Sequence, residues 1–290
     1  MDVGIGFPHV MPAQDGGLIL DWARRADEGP FSSISVIDRL AYPNHDPLIM
    51  LSAAAAVTRR VRLMTAVLLA PLRNPGVMAK QAASIDALSG GRLSLGFGVG
   101  SRPDDFLAAP TDYHTRGKRF DEQLAVMKRV WSGQPMSDEV GPVGPTPVRP
   151  GGPEILIGGR SQAALDRVGR WGDGYMAGGS LSDASEARKT LDKIGELWAA
   201  AGRPGKPRFV SGIQCVVGPE VAERGAATIT SYYAGRGARG STSGAEVISA
   251  PEAIKDIIKA YEDIGADELI LRLLVPDLEQ VDRLAELVGG

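Results

Sequence analysis

The chain has 290 residues, 43% of them apolar and 23% charged, and a net charge of −3, a composition that fits a soluble globular protein of one large or two ordinary domains. It has no basic surplus for nucleic acid, no apolar run near the ~20 residues that span a bilayer, and no signal-peptide pattern in its start, MDVGIGFPHV. A cytoplasmic protein acting on small molecules, with no nucleic acid or membrane partner, is therefore expected, and the lone cysteine, Cys215, excludes an internal disulfide and a multi-thiolate zinc site.

In chain order, apolar runs rich in Val, Ile and Leu occur at 3–8, 33–38, 61–69, 93–98, 154–159, 174–179, 209–217 and 267–274. Segments of helical period separate them. Asp46-Pro47 and Asn74-Pro75 each place a capping side chain before a proline suited to the first helical position, and Ser249-x-x-Glu252 has capping-box spacing. Apolar stripes follow: Met78, Ala82, Ile85 and Leu88; then Phe120, Leu124, Met127 and Trp131; then Ile254, Ile257, Ile258 and Tyr261. Eight alternations of strand and helix predict an α/β fold, a single (β/α)8 TIM barrel over residues 1–290. Residues 132–153, with six prolines and five glycines, read as an irregular loop over the barrel mouth.

Ala70 to Arg73, between strand three and the helix that Asn74 begins, is a βα loop, and such loops form the functional mouth of a barrel. In LSLGFGVG, Leu93, Leu95, Phe97 and Val99 share one face, and Ser94, Gly96, Gly98 and Gly100 the other. Gly4 and Gly6 oppose Val3, Ile5 and Phe7 in the same way. Inward glycine rows would open room near the mouth, or would accommodate close strand packing. After strand five, Gly158-Gly159-Arg160 leads to Ser161 at a helix start, where backbone N–H groups suit a phosphate. Arg272 shares a strand face with Glu268 and Ile270, so it could meet a ligand or pair internally with an acid.

The ordered segments VTRRVRLMTAVLLAPLRNPGVMAKQAASIDALSGGRLSLGFGVGSRPDDF, RGKRFDEQLAVMKRVW, ILIGGRSQAALDRVGRWGDGYM and YEDIGADELILRLL resemble the luciferase-like monooxygenase superfamily. The resemblance is strongest to its shorter, F420-dependent oxidoreductase branch, with a reduced insertion at the mouth. It implies a flavin or deazaflavin at the C-terminal mouth and a non-prolyl cis peptide at Ala66–Val67 supporting the ring. Cofactor contacts would come from Ala66, Val67, Gly98, Gly100, Gly158, Gly159, Arg160, Ser161, Gly178 and Gly179. Strand two ends in Asp38-Arg39-Leu40, where relatives often have Asp-His and an aromatic residue. Without that histidine, Arg39 could orient an anionic group, and Asp38 could be catalytic or a buried acceptor. His9, after strand one, is a candidate proton donor; His114 falls on another mouth-side connection.

The expected activity is hydride transfer between F420 and a small organic substrate. Alternatives are an FMN-dependent monooxygenase using oxygen and a non-catalytic flavin-binding protein; no metal is expected. A flavin-free hydrolase lacks its signatures in this sequence. Twenty-four of the 32 basic residues are arginine, the usage of a GC-rich, actinobacterial genome, which favours F420 by association. Arg160, Arg73 and Arg102 are candidates for a cationic path along its acidic tail. A homodimer is expected, served by a separate flavin or F420 reductase.

Overall fold

The computed structural model describes residues 1–177, 184–234 and 247–290. Its eight strands are β1 (Asp2–Gly6), β2 (Ser33–Val36), β3 (Arg62–Leu69), β4 (Leu93–Gly98), β5 (Glu154–Gly158), β6 (Gly174–Met176), β7 (Arg208–Cys215) and β8 (Glu268–Leu273). They pair in parallel, each with its sequence neighbours, and β8 closes on β1. The architecture is the expected closed barrel.

Helices α1 (Gly16–Glu28), α2 (Pro47–Val57) and α3 (Pro75–Ser89) follow the first three strands. Asp15, Asp46 and Asn74 cap them by accepting hydrogen bonds from first-turn N–H groups, and Pro47 and Pro75 occupy the first turn. After β4 come α4 (Pro103–Ala108) and α5 (Arg116–Trp131), and then α6 (Gln162–Trp171), α7 (Ala184–Ala200), α8 (Ala222–Tyr233), α9 (Pro251–Asp263) and α10 (Leu278–Gly289). The helix after Ser249 starts later than its spacing predicts. Ala250 is the cap residue, no side chain caps it, and Pro251 opens the helix. Arg119 donates to the Pro71 carbonyl and to Thr115, and Lys118 pairs with Glu122. Leu88 also departs from its predicted stripe and is 76% exposed, while Asp86 and Ser89 are buried.

Outward-facing strand residues build the layer between barrel and helices. Leu93, Leu95 and Phe97 are fully buried there, and Phe97 meets Phe120 edge-on at 5.8 Å. Each such side chain contributes roughly 1.5–3 kcal/mol of hydrophobic stabilisation. Cys215 is a buried member of this core, and burial pushes its thiol up to about 12.

The lumen is layered by polarity. At the N-terminal end, Arg208 joins Glu154 (2.7 Å) to Glu268, and Arg62 adds a second contact to Glu154 (3.2 Å). Ser32 and Ser33 donate to Glu268, which is fully buried. Above this lies an apolar layer of Met64, Ala66, Leu156, Met176, Val210 and Ile270. Polar residues above that layer begin the mouth.

Residues 132–153 do not cover that mouth. They join α5 to the start of β5, and so return the chain to the N-terminal end of the barrel. Val148 donates its N–H to Asp86 of α3 and packs against Gly91, and Gly152 lies against Trp131. The mouth cavity has no lining residue from this segment. An αβ connection in a parallel barrel must run to the strand N-termini, whatever its composition. Among the described residues no helix is long and apolar enough to cross a membrane, and no cluster of His, Cys, Asp and Glu could hold a metal ion.

Candidate active site

A cavity opens at the C-terminal ends of the strands. Its walls include Ala66, Val67 and Leu69 from β3, Gly158 and Gly159 at the end of β5, and Met176 and Ala177 at the end of β6. Gln214 of β7, Arg272 of β8 and the tyrosines of α8 complete the opposite side.

The β3 wall is irregular. The Ala66–Val67 peptide is cis, as the resemblance implies, and pairing with β4 shifts register between Thr65 and Leu68. Val67 packs in the lumen beside the apolar layer. A Cβ on Gly98 would stand 2.7 Å from its Cγ2, and one on Gly158 would stand 3.0 Å from its Cγ1. The inward glycines therefore do not face empty space. Gly98 and Gly158 make room for Val67, while Gly4 and Gly96 are packed tightly against Ser33 and the Thr65 carbonyl. Close packing, the second reading of the glycine rows, accounts for them.

Asp38 and Arg39 follow β2 and are both buried. Asp38 accepts the Leu69 N–H at 2.9 Å and pairs with Arg73 at 3.1 Å. Burial raises its pKa from the ordinary carboxylate value, against the opposing pull of Arg73 and the Leu69 N–H. Arg73 also pairs with Asp46 at 2.9 Å. Its charge is thus committed to fastening the loop after β3, which removes it from the expected cationic path. Arg39 is held by Asp104 and Asp105, each at 3.0 Å. Asp105 further accepts the Leu40 and Ala41 N–H groups, so α4 shapes the loop after β2. The guanidinium that was expected to orient an anion is thereby neutralised by two carboxylates, and only its Nη1 lacks a hydrogen-bond partner among the described residues.

His9 is outside the cavity lining. It is buried, its Nε2 has no partner among the described residues, and burial lowers its pKa to about 4, reinforced by His45. A ring that stays neutral down to that pH holds no imidazolium proton to donate near pH 7. His114 faces Tyr113 edge-on at the start of α5, also away from the cavity lining. Gly100 adopts φ +78° and packs against Phe106. Gly178 and Gly179 lie outside the described residues.

Beyond Gly159, Ser161 caps α6 by accepting the Ala164 N–H at 3.3 Å. Arg160 lines a groove continuing from that turn, together with Leu165, Tyr175, Glu186, Lys189 and Lys193. Arg102, the third candidate for the cationic path, is instead buried in the mouth over the rings of Tyr232 (5.0 Å) and Tyr233 (5.4 Å). Tyr232 also stands edge-on to Tyr42 and Tyr233, and burial pushes its phenol up to about 12. These contacts escaped sequence reasoning because residues near 40, 102 and 232 meet only when the barrel closes. The acids of Pro103-Asp104-Asp105, beside Arg102, were the available local signal.

The luciferase-like monooxygenase family model matches residues 6–253. An uncharacterised protein of Mycobacterium tuberculosis is 29% identical over 224 residues, 68% of this chain and 77% of that protein. An F420-dependent glucose-6-phosphate dehydrogenase of Beutenbergia cavernae is 36% identical over 125 residues, 40% of this chain and 37% of that enzyme. Among solved structures, a monooxygenase from Streptomyces bottropensis superposes with a TM-score of 0.83 at 24% identity, covering 100% of this chain and 98% of its own. An F420-dependent tetrahydromethanopterin reductase from Methanopyrus kandleri gives 0.76 at 18% identity, with 100% and 98% coverage. The fold is thus shared by F420-dependent and oxygen-using enzymes, and the chain belongs to the luciferase-like monooxygenase family.

Proposed function

We propose that the protein is an F420-dependent oxidoreductase that binds the deazaflavin ring against the Ala66–Val67 wall and its phosphate at the start of α6. The residues present fit such a group. Val67, Leu69, Met176 and Ala177 offer apolar contact to a flat ring, and the turn from Gly158 to Ser161 leads to a helix N-terminus suited to phosphate. When bound, the deazaflavin would supply the hydride; the chain would supply orientation, apolar walls and water exclusion.

The observation favouring F420 over FMN is the groove beyond Gly159. Among the described residues, Arg160, Lys189 and Lys193 bring three cations to it and Glu186 brings one acid. Lys189 pairs with Glu186 and Lys193 with Glu196, both as exposed intrahelical contacts, and such contacts are weak enough to exchange for a ligand carboxylate. F420 continues past its phosphate into an acidic tail, whereas FMN stops there. Neighbours of both kinds exist, since a 4-hydroxyprotoasukamycin monooxygenase of Streptomyces nodosus is 38% identical over 87 residues, 30% of this chain and 24% of that enzyme.

Side-by-side titration with F420 and FMN tests the reading. F420 should bind more tightly at low salt, and the gap should narrow as salt shortens the Debye length toward ~3 Å at 1 M. Reduced F420 should transfer hydride without oxygen consumption. Tight, salt-insensitive FMN binding with oxygen-dependent turnover, and no measurable F420 binding, would assign the monooxygenase activity instead.

Ser161→Asp is expected to weaken either phosphate-bearing cofactor by about tenfold or more through charge repulsion, and Ser161→Ala to cost only ~1 kcal/mol. Equal cofactor affinity of Ser161→Asp and wild type, measured by the same titration, would remove this turn from the phosphate site.

A further inference from the structure

We infer that the mouth contains an anion subsite centred on Arg272, on the wall opposite the ring-binding side, and that it selects a substrate pairing a carboxylate with an apolar or aromatic body. The assignment of this subsite to substrate rests on the proposed placement of the cofactor against β3 and β5.

Charge pairing around the cavity leads to this assignment. Among the described residues its two lining carboxylates are already committed, Asp38 to Arg73 and Asp105 to Arg39. Arg102 has no carboxylate partner among the described residues; it reaches the Tyr232 carbonyl only at 3.5 Å and rests on tyrosine faces. Arg272 is more isolated, for among the described residues it donates no hydrogen bond and joins no ion pair, and its Nε is buried without a partner. Glu268, the acid two turns of the strand pleat below it, is taken by Arg208. Burial pushes the Arg272 pKa down from its ordinary value, and only the phenols of Tyr233, Tyr232 and Tyr261, no carboxylate, oppose the shift. Arg272 is half-buried, and holding a cation partly out of water without a partner carries a cost that an anionic ligand would offset.

The backbone is shaped around this arginine. Its guanidinium lies over Gly212, where a Cβ would stand 2.7 Å from Cζ, and its stem fills the space beside Gly6, where a Cβ would stand 3.2 Å from Cγ. Any side chain at Gly212 would displace the charge. The strand order places β8 and its neighbours β7 and β1 across the barrel from β3 and β4. Arg272 therefore faces the cavity from the side away from Val67. Tyr232 and Tyr233 border the same cavity and supply the aromatic surface for the body of the ligand.

The test uses benzoate and phenylacetate against their neutral amides, titrated calorimetrically into the cofactor-loaded and the cofactor-free protein. The wild type should bind each acid about tenfold or more tightly than its amide. In Arg272→Met that preference should fall to within about twofold while cofactor affinity changes by no more than about twofold, and Arg272→Lys should keep an intermediate preference. Equal binding of acid and amide by the wild type, no binding of any probe, or an undiminished preference in folded Arg272→Met would overturn the inference. Loss of cofactor affinity in Arg272→Met with the acid preference intact would give the arginine to the cofactor. Should Arg272→Met fail to fold, the wild-type comparison and Arg272→Lys still decide. An Arg272-dependent preference in a protein that binds neither F420 nor FMN would sink the proposed function and leave the anion subsite standing.

Discussion

Glu268→Ala is expected to lower the unfolding free energy by about 3–5 kcal/mol, the range for removing one partner of a buried ion pair. Glu268 is fully buried and accepts from Ser32, Ser33 and Arg208. Alanine would leave two hydroxyls without their acceptor and reduce the anionic partners of Arg208 from two carboxylates to one. Urea denaturation should show a lower midpoint with the same slope, since the surface exposed on unfolding is nearly unchanged. Glu268→Gln keeps a hydrogen-bond acceptor and should lose less. The network lies at the strand N-termini, beneath the apolar layer of Met64, Leu156 and Ile270, so cofactor affinity of the folded variant should stay within about twofold of wild type. An alanine variant destabilised by less than about 1 kcal/mol would mean that water or neighbouring side chains replace the lost contacts.

The second large effect is a pH dependence of stability set by His9. Its folded pKa is lowered from 6.5 to about 4, first by burial and then by His45. An unfolded chain binds a proton at this site below its own pKa, whereas the folded chain resists protonation until near pH 4. The stabilisation is therefore complete above the unfolded pKa and is lost as pH falls from there through the folded value. At 1.36 kcal/mol per unit, the shift corresponds to a loss of about 3 kcal/mol between pH 7 and pH 4. Carboxylates titrate near the lower end of that window, so the measurement is a difference between wild type and His9→Gln, which carries no titrating group at the site. Wild type should lose about 3 kcal/mol more than the variant on acidification. Parallel stability curves, or an NMR titration of the His9 ring with a midpoint near 6.5, would contradict a desolvated neutral imidazole.

Much of the barrel was legible locally. The caps at Asp46 and Asn74, the prolines that follow them and the alternation in LSLGFG each depend on residues within a turn or a pleat of one another, and all three appear in the structure. Element order then required a parallel closed sheet, because every strand is followed by a helix that must return the chain. Ser161 was readable as a cap for the same reason. The family resemblance added the position of the Ala66–Val67 bond, which no local spacing could supply.

What the sequence could not determine was which charges would find each other. Arg73, Arg39 and Arg102 look equivalent along the chain, as three arginines in mouth loops. Closure of the barrel gives Arg73 to Asp38 and Asp46, gives Arg39 to Asp104 and Asp105, and stacks Arg102 on tyrosines 130 residues away. The same closure sends Glu268 to Arg208 and leaves Arg272, four residues later on the same strand face, without an acid among the described residues. Composition also misplaced residues 132–153, since proline and glycine content reports irregularity and only the strand direction says at which end of the barrel a loop must lie. Local spacing determines elements because backbone hydrogen bonds and caps are short-range in sequence. Pairing, burial and the charge left over in a cavity are decided by tertiary structure, because they depend on which distant side chains displace water from one another.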